Sequence, residues 1–306
     1  MTQSRNDLIY LILIIFSLSS FIYGFIAREN SAGGGKTDFV NVWKNQKIFN
    51  ENSIAKSIRN TKTGEITSSI NSYFPTSYII NKVINPFSKN KESFLISIFV
   101  LNLLLPIFFF LALKNTFRKK NLYLLACFSS IIYLSPYFRT SSYWAGLENY
   151  GLLMFVISYY FLNEYLQKKN NPKLYIFLFS LFSCLCVYFD QKLALIPLIY
   201  LYFFFKNTDD IINIIFYLIL NFILSIPVFL IIFYWGSIIS PNDTVGRRFG
   251  SLLFFEQIGY SFSIMIFYLI PYLTIYYKKI YKFIIDNNKF FIILFIIICF
   301  YIFFLL

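Results

Sequence analysis

Histidine is missing from this chain of 306 residues, and with it goes the commonest general base and metal ligand. Charge is scarce as well: 13% of residues are charged, against about 25% in an ordinary soluble domain. With 58% of residues hydrophobic, the chain has too little polar surface to cover itself in water. Cysteine is limited to Cys127, Cys184, Cys186 and Cys299, all inside apolar runs. One residue separates Cys184 from Cys186 and no second pair follows, so zinc and redox roles are not expected and the thiols read as inert. Glycine and proline are also sparse, at 11 and 9 residues.

What is abundant is apolar length. Repeated runs of about 17 to 25 residues each suffice to cross roughly 30 Å of hydrocarbon. The fold class expected is all-α, a polytopic transmembrane helical bundle forming a single domain over 1–306. About nine spans are expected, at 8–27, 93–113, 121–137, 149–166, 174–190, 193–205, 211–235, 255–277 and 290–306, of which 193–205 is short enough to be re-entrant. Phe25 stands where cleavage after Ala27 would need a small residue, so the first run reads as an anchor rather than a secretory signal. The 40 Phe and 25 Tyr accompany many Ile, Asn and Lys, the bias of an AT-rich coding sequence, and are not read as carbohydrate stacking.

Basic residues orient the spans. One set of alternate short connections holds Lys114, Arg118, Lys119, Lys120, Lys168, Lys169, Lys173, Lys206, Lys278, Lys279, Lys282 and Lys289; the other holds Arg139, Lys192, Arg247 and Arg248. Twelve against four places the N-terminus in the cytoplasm of a multi-pass protein, in a bacterial inner membrane or an endoplasmic reticulum membrane. The long 28–92 loop then faces outside. The membrane interiors are almost free of ionisable groups, with Glu164 and Glu256 near span ends, which disfavours ion-coupled transport.

Two segments of the 28–92 loop read as helices on the membrane surface. In "PTSYIINKVINP", Pro75 suits a helix start and Pro86 a stop, with Ile79, Ile80, Val83, Ile84 and Phe87 on one face and Ser77, Asn81, Lys82 and Asn85 on the other. In "DFVNVWKNQKIF", residues 38–49, Phe39, Val40 and Trp43 recur at helical spacing, with Asp38 or Thr37 as N-cap. Between them "NTKTGEITSS" reads as a mobile connection. Just before the second helix stands "ENSAGGGKTDF". Gly35-Lys36-Thr37 matches the end of a phosphate loop, but Asn30 occupies the place of its first glycine and an apolar run rather than a strand precedes it, so a nucleotide site is not expected. Asp38 is either an N-cap or a general base held near the bilayer surface.

An internal N-terminus, a long first external loop with an early acidic residue, and two surface helices in it resemble the GT-C superfamily, polytopic glycosyltransferases that use polyprenyl-phosphate sugars. "SYFPTSYIINKVINPF" is similar to the second juxtamembrane helix of that group, and "TSSYWAGLENYGLLMFVISYYFLNEYL" to the segment entering its fourth span. "CVYFDQKLALIPLIYLYFFF" resembles the region of an external Arg-Gln in lipid-linked α-glucosyltransferases, with Asp190 here in place of the arginine. A looser likeness extends to dolichyl-phosphate-mannose mannosyltransferases. The resemblance implies inverting sugar transfer on the outer face, from a polyprenyl-phosphate sugar to a lipid-linked or cell-envelope acceptor, with Asp38 as the base.

Other outer-face residues complete the candidate set. Glu148 is a second acid for sugar hydroxyls or a helix-start charge favoured by the macrodipole. Trp144 is a sugar-stacking ring or an interfacial anchor. Lys36, Arg139, Arg247 and Arg248 are candidates for the departing phosphate, or anchors for lipid headgroups. Asp190 and Lys192 read as a turn-stabilising ion pair. No cofactor is required, and a divalent cation shared by Asp38 and Glu148 stays open. Membrane lipids are expected partners and nucleic acid is not. The alternative from another class is a transporter or glycolipid flippase without catalytic activity.

Overall fold

The computed structural model describes residues 2–30, 35–63, 74–167, 171–207, 210–236, 277–279, 281–282 and 285–286. The chain divides into two compact units, Met1–Arg248 and Phe249–Leu306. In the second, the described residues are helical, and Lys278 Nζ stands 5.9 Å from the centre of the Tyr277 ring.

The described residues are helical, and none lies in a strand. The helices are α1 (Thr2–Ile26), α2 (Gly35–Glu51), α3 (Ile54–Thr63), α4 (Thr76–Ile84), α5 (Lys91–Asn102), α6 (Leu104–Thr116), α7 (Leu122–Ser130), α8 (Pro136–Tyr143), α9 (Glu148–Gln167), α10 (Pro172–Phe189), α11 (Ile196–Asn207) and α12 (Ile211–Trp235). Among the described residues, four helical stretches are long and apolar enough to cross a membrane: Arg5–Ile26, Lys91–Thr116, Pro172–Phe189 and Ile211–Trp235. They coincide with four of the expected spans. The 121–137 span is α7, a 3₁₀ turn over Ile131–Leu134, and α8, bent by 66°. The 149–166 span falls on α9 and 193–205 on the 12-residue α11, while 255–277 and 290–306 lie almost wholly outside the described residues.

Local chemistry sets the helix ends. Asn90 Oδ1 accepts from the N–H groups of Glu92 and Ser93 at 3.0 and 3.2 Å and starts α5. Asn121 does the same for α7 through Tyr123 at 2.7 Å, and Asp210 for α12 through Ile212 at 3.0 Å. Gly236, at φ 74°, ends α12 in the left-handed region open to glycine. Pro106 has no N–H to give the carbonyl four residues back, at Asn102, and the stretch breaks there into α5 and α6. Tyr133 Oη donates to the Leu103 carbonyl at 3.1 Å beside this break.

The core is aromatic. Phe21 of α1, fully buried, packs against Phe99, Tyr133, Phe138 and Tyr143 with ring centres 4.8–5.6 Å away. A second cluster joins α9, α10, α11 and α12 around Phe179, Tyr200, Phe204 and Tyr217. Polar residues follow the same inward logic. On α4, Ser77, Tyr78 and Asn81 are buried while Val83 and Ile84 are exposed, as is Phe87 in the 3₁₀ turn that follows. The polar side of this helix is therefore satisfied by protein: Tyr150 Oη donates to Asn81 Oδ1 at 3.1 Å.

The 28–92 segment holds one α-helix more than expected. α3 takes up the start of "NTKTGEITSS", whose remainder lies outside the described residues. α2 begins at Gly35, so Asp38 sits inside its first turn rather than at the N-cap. A carboxylate there complements the free N–H groups and the positive end of the macrodipole.

Candidate functional site

α2 is placed by a glycine. A Cβ on Gly35 would stand 2.5 Å from Thr140 Cγ2 and 2.9 Å from Trp144 Cδ1, so only a bare backbone lets the start of α2 lie against α8. Asp38 follows one turn later. It is exposed on one side, but packing on the other desolvates it, and that raises its carboxyl above the ordinary value of 3.8. The Glu148 charge raises it further. The two acids, far apart in sequence, are thus electrostatic neighbours.

Glu148 is set by the turn between α8 and α9. Gly146 N–H returns to the Ser141 carbonyl at 2.6 Å, closing α8, while Ala145 adopts φ 54°, a left-handed conformation uncommon for a residue with a Cβ. α9 then starts at Glu148, half-buried, whose Oε1 accepts from Ser141 Oγ at 2.5 Å. Next to it, Asn149 Nδ2 donates to Ser142 Oγ at 3.0 Å.

Lys36 points elsewhere. Residues two apart on a helix diverge by about 200°, and Lys36 enters a cleft of ≈ 300 Å³ with Arg28, Phe39, Lys91, Glu92 and Trp144. Arg28 pairs there with Glu92 at 2.5 Å, and Lys91 Nζ stands 5.5 Å over the Phe39 ring. Three cations face one carboxylate in this lining. Arg28 and Lys91 were not singled out from the sequence. The available signal was their position, as the first and last basic residues of the 28–92 segment.

Arg139 and Trp144 serve the end of α1. Arg139, buried, grips Glu29 with both prongs, Nε to Oε1 at 3.2 Å and Nη2 to Oε2, and donates to Ser20 Oγ at 2.9 Å. Trp144, also buried, donates its indole N–H to the Glu29 carbonyl at 2.8 Å and presents an edge to the cleft. Asp190 caps the 3₁₀ turn at Gln191–Leu193 by accepting from the Lys192 N–H at 3.0 Å. Arg247 and Arg248 lie outside the described residues. The structure thus brings together Asp38 with Glu148, and Lys36 with Trp144, on two sides of the first turn of α2.

Cys127, Cys184 and Cys186 are free and buried. Among the described residues, no three Cys, Asp or Glu side chains gather as metal ligands. Compared with family models, with curated proteins and with solved structures, the chain finds no match.

Proposed function

We propose that this chain is a membrane glycosyltransferase of the GT-C type, with about nine spans, a cytoplasmic N-terminus, and α2 and α4 lying at the outer surface. It transfers a sugar from a polyprenyl phosphate to a lipid-linked or envelope hydroxyl. The observation that carries the reading is the Asp38 carboxyl at the start of α2, raised first by desolvation and then by the nearby charge of Glu148, which makes it a better proton acceptor than an isolated aspartate.

In the proposed reaction the acceptor oxygen attacks the anomeric carbon while its proton passes to Asp38. The bond from that carbon to the phosphate oxygen breaks, its electron pair leaves with the polyprenyl phosphate, and the centre inverts. The phosphate gains charge as it departs, and Lys36, with Arg28 and Lys91 in the same cleft, stabilises it. The substrate lies across the first turn of α2, its phosphate in the cleft and its acceptor beside the carboxylates. Arg139 is spoken for by Glu29; Arg247 and Arg248 remain further candidates for the phosphate.

The test is incubation of the purified protein with a panel of polyprenyl-phosphate sugars and lipid acceptors, followed by mass spectrometry of the lipid fraction. A new glycolipid with wild type, reduced by about 10²–10⁴-fold in Asp38→Asn, is expected for loss of a general base. Full transfer by Asp38→Asn removes its catalytic role. Lipid movement across vesicles with no new linkage in any combination makes the chain a flippase.

A further inference from the structure

Far along the helices from Asp38, the C-terminal ends of α6 and α9 meet the N-terminal ends of α7 and α1. Gln167 accepts from Arg118, Gln167 Nε2 donates to the Asn115 carbonyl at 2.7 Å, and Asn121 Nδ2 donates to Asp7. Here a second cleft opens, ≈ 450 Å³ in volume, formed by Asn115, Thr116, the turn from Phe117 to Lys120, and Gln167. We infer that it binds the phosphate headgroup of an anionic phospholipid, independently of any sugar transfer at the opposite end.

The cleft is built rather than merely basic. Phe117 N–H closes onto the Leu113 carbonyl at 2.8 Å and Lys120 N–H onto the Phe117 carbonyl at 2.9 Å, so Arg118, Lys119 and Lys120 project from a hydrogen-bonded turn. Gln167 orients the guanidinium of Arg118, which suits phosphate oxygens in a forked geometry. Asn163 Nδ2 donates to Thr116 Oγ1 at 3.0 Å and fixes α6 to α9 beneath the turn.

Charge in the cleft is uncompensated. No Asp or Glu lines it, and among the described residues none stands within ion-pair distance of Arg118, Lys119 or Lys120. Of the nearby acids, Glu164 is buried and accepts from Asn115 Nδ2 at 2.6 Å, and Asp7 accepts from Asn121 Nδ2. A lipid is favoured over a soluble phosphate by Phe117, an exposed aromatic ring in the same turn, at the end of a helix apolar enough to lie in hydrocarbon. The volume falls in the range of ordinary ligand pockets, roughly 300–1,000 Å³.

The experiment uses the full-length protein in mixed micelles of phosphatidylglycerol and phosphatidylcholine, with retained lipid counted by native mass spectrometry. Wild type is expected to prefer phosphatidylglycerol by about tenfold at low salt, with the preference falling as salt rises. The triple variant Arg118→Gln, Lys119→Gln, Lys120→Gln is expected to lose it, and the exposed pair Lys56→Gln, Arg59→Gln on α3 to keep it. An unchanged preference in the triple variant overturns the inference. So does displacement of the lipid by inorganic phosphate at equal concentration, which makes this a soluble-phosphate site. Should the triple variant fail to fold, photoactivatable phosphatidylglycerol on wild type decides: crosslinks within 115–120 support the site, and their confinement to other segments overturns it.

Discussion

Arg139 of α8 and Glu29, just past the end of α1, form a two-pronged ion pair, with Nε 3.2 Å from Oε1. Arg139 is nearly buried and Glu29 about one-third exposed. A Cβ on Gly24 would touch Glu29 Oε2 and Tyr143 Oη at 2.5 Å, so α1 carries a gap cut for this pair. Removing one partner takes away the two-pronged contact and leaves the other charge less well compensated. Arg139→Gln is expected to cost about 2–4 kcal/mol, toward the lower end of the cost of breaking a buried pair because water reaches Glu29. Thermal unfolding in detergent measures it. Glu29→Gln combined with Arg139→Gln is expected to cost less than the two single losses added. Strict additivity would show that the pair contributes nothing as a pair.

The Asp38 carboxyl is raised by desolvation first and by Glu148 second. If it is the base, the acid limb of the rate profile follows its ionisation and lies above the position of an ordinary aspartate. Glu148→Gln removes the second cause, so the limb is expected to move to lower pH. Stability runs in the opposite sense. An aspartate whose folded pKa exceeds its unfolded one binds its proton more tightly when folded, so its contribution to stability declines as pH rises from the unfolded value through the folded one. Asp38→Asn is therefore expected to stabilise slightly at neutral pH while transfer falls. An acid limb that stays put in Glu148→Gln uncouples the two residues.

Gly35→Ala tests the seating of α2. The added methyl meets Thr140 and the Trp144 ring, and both Thr140 and Trp144 are buried and unable to swing clear. Overpacking of this kind costs about 1–3 kcal/mol. Since Asp38 and Lys36 lie on the same turn, transfer is expected to fall further than stability alone explains. A variant with wild-type melting and wild-type transfer would show that α2 tolerates displacement.

The helices were legible because long apolar runs, prolines and polar caps are local signals. Those at 8–27, 93–113, 174–190 and 211–235 reappear almost unchanged. The bend between α7 and α8 was partly legible, since Pro136 stood in the sequence, but its direction depends on Tyr133 and Phe138 closing on Phe21 of α1. The partners of Arg139 were not legible. Glu29 sits 110 residues away, and no local period links an arginine of one turn to an acid of another. Asp38 and Glu148 each stood out alone, while their proximity depends on the glycine contact of α2 with α8. The inward polar side of α4 was hidden for a different reason. Which side meets protein is decided by Tyr150, a residue of another helix.

Lys82 offers a last test of how α2 and α4 hold the site. Its Nζ crosses from α4 to the end of α2, donating to the Phe49 carbonyl at 2.8 Å and to that of Asn52. These carbonyls lie in the terminal turn of α2 and just past its end, where a cation also offsets the negative end of the macrodipole. Lys82→Met keeps the stem and removes the donor. A cost of about 1–2 kcal/mol is expected, from hydrogen bonds to a charged group and the lost end charge. Amide hydrogen exchange is the sharper readout: protection should fall in the last turn of α2 and hold at Phe39–Val42, whose N–H groups are the first to bond within the helix, because that end is seated independently on α8. Equal loss along the whole of α2 would mean that the helix moves as one rod, with Lys82 setting the position of Asp38 from a distance.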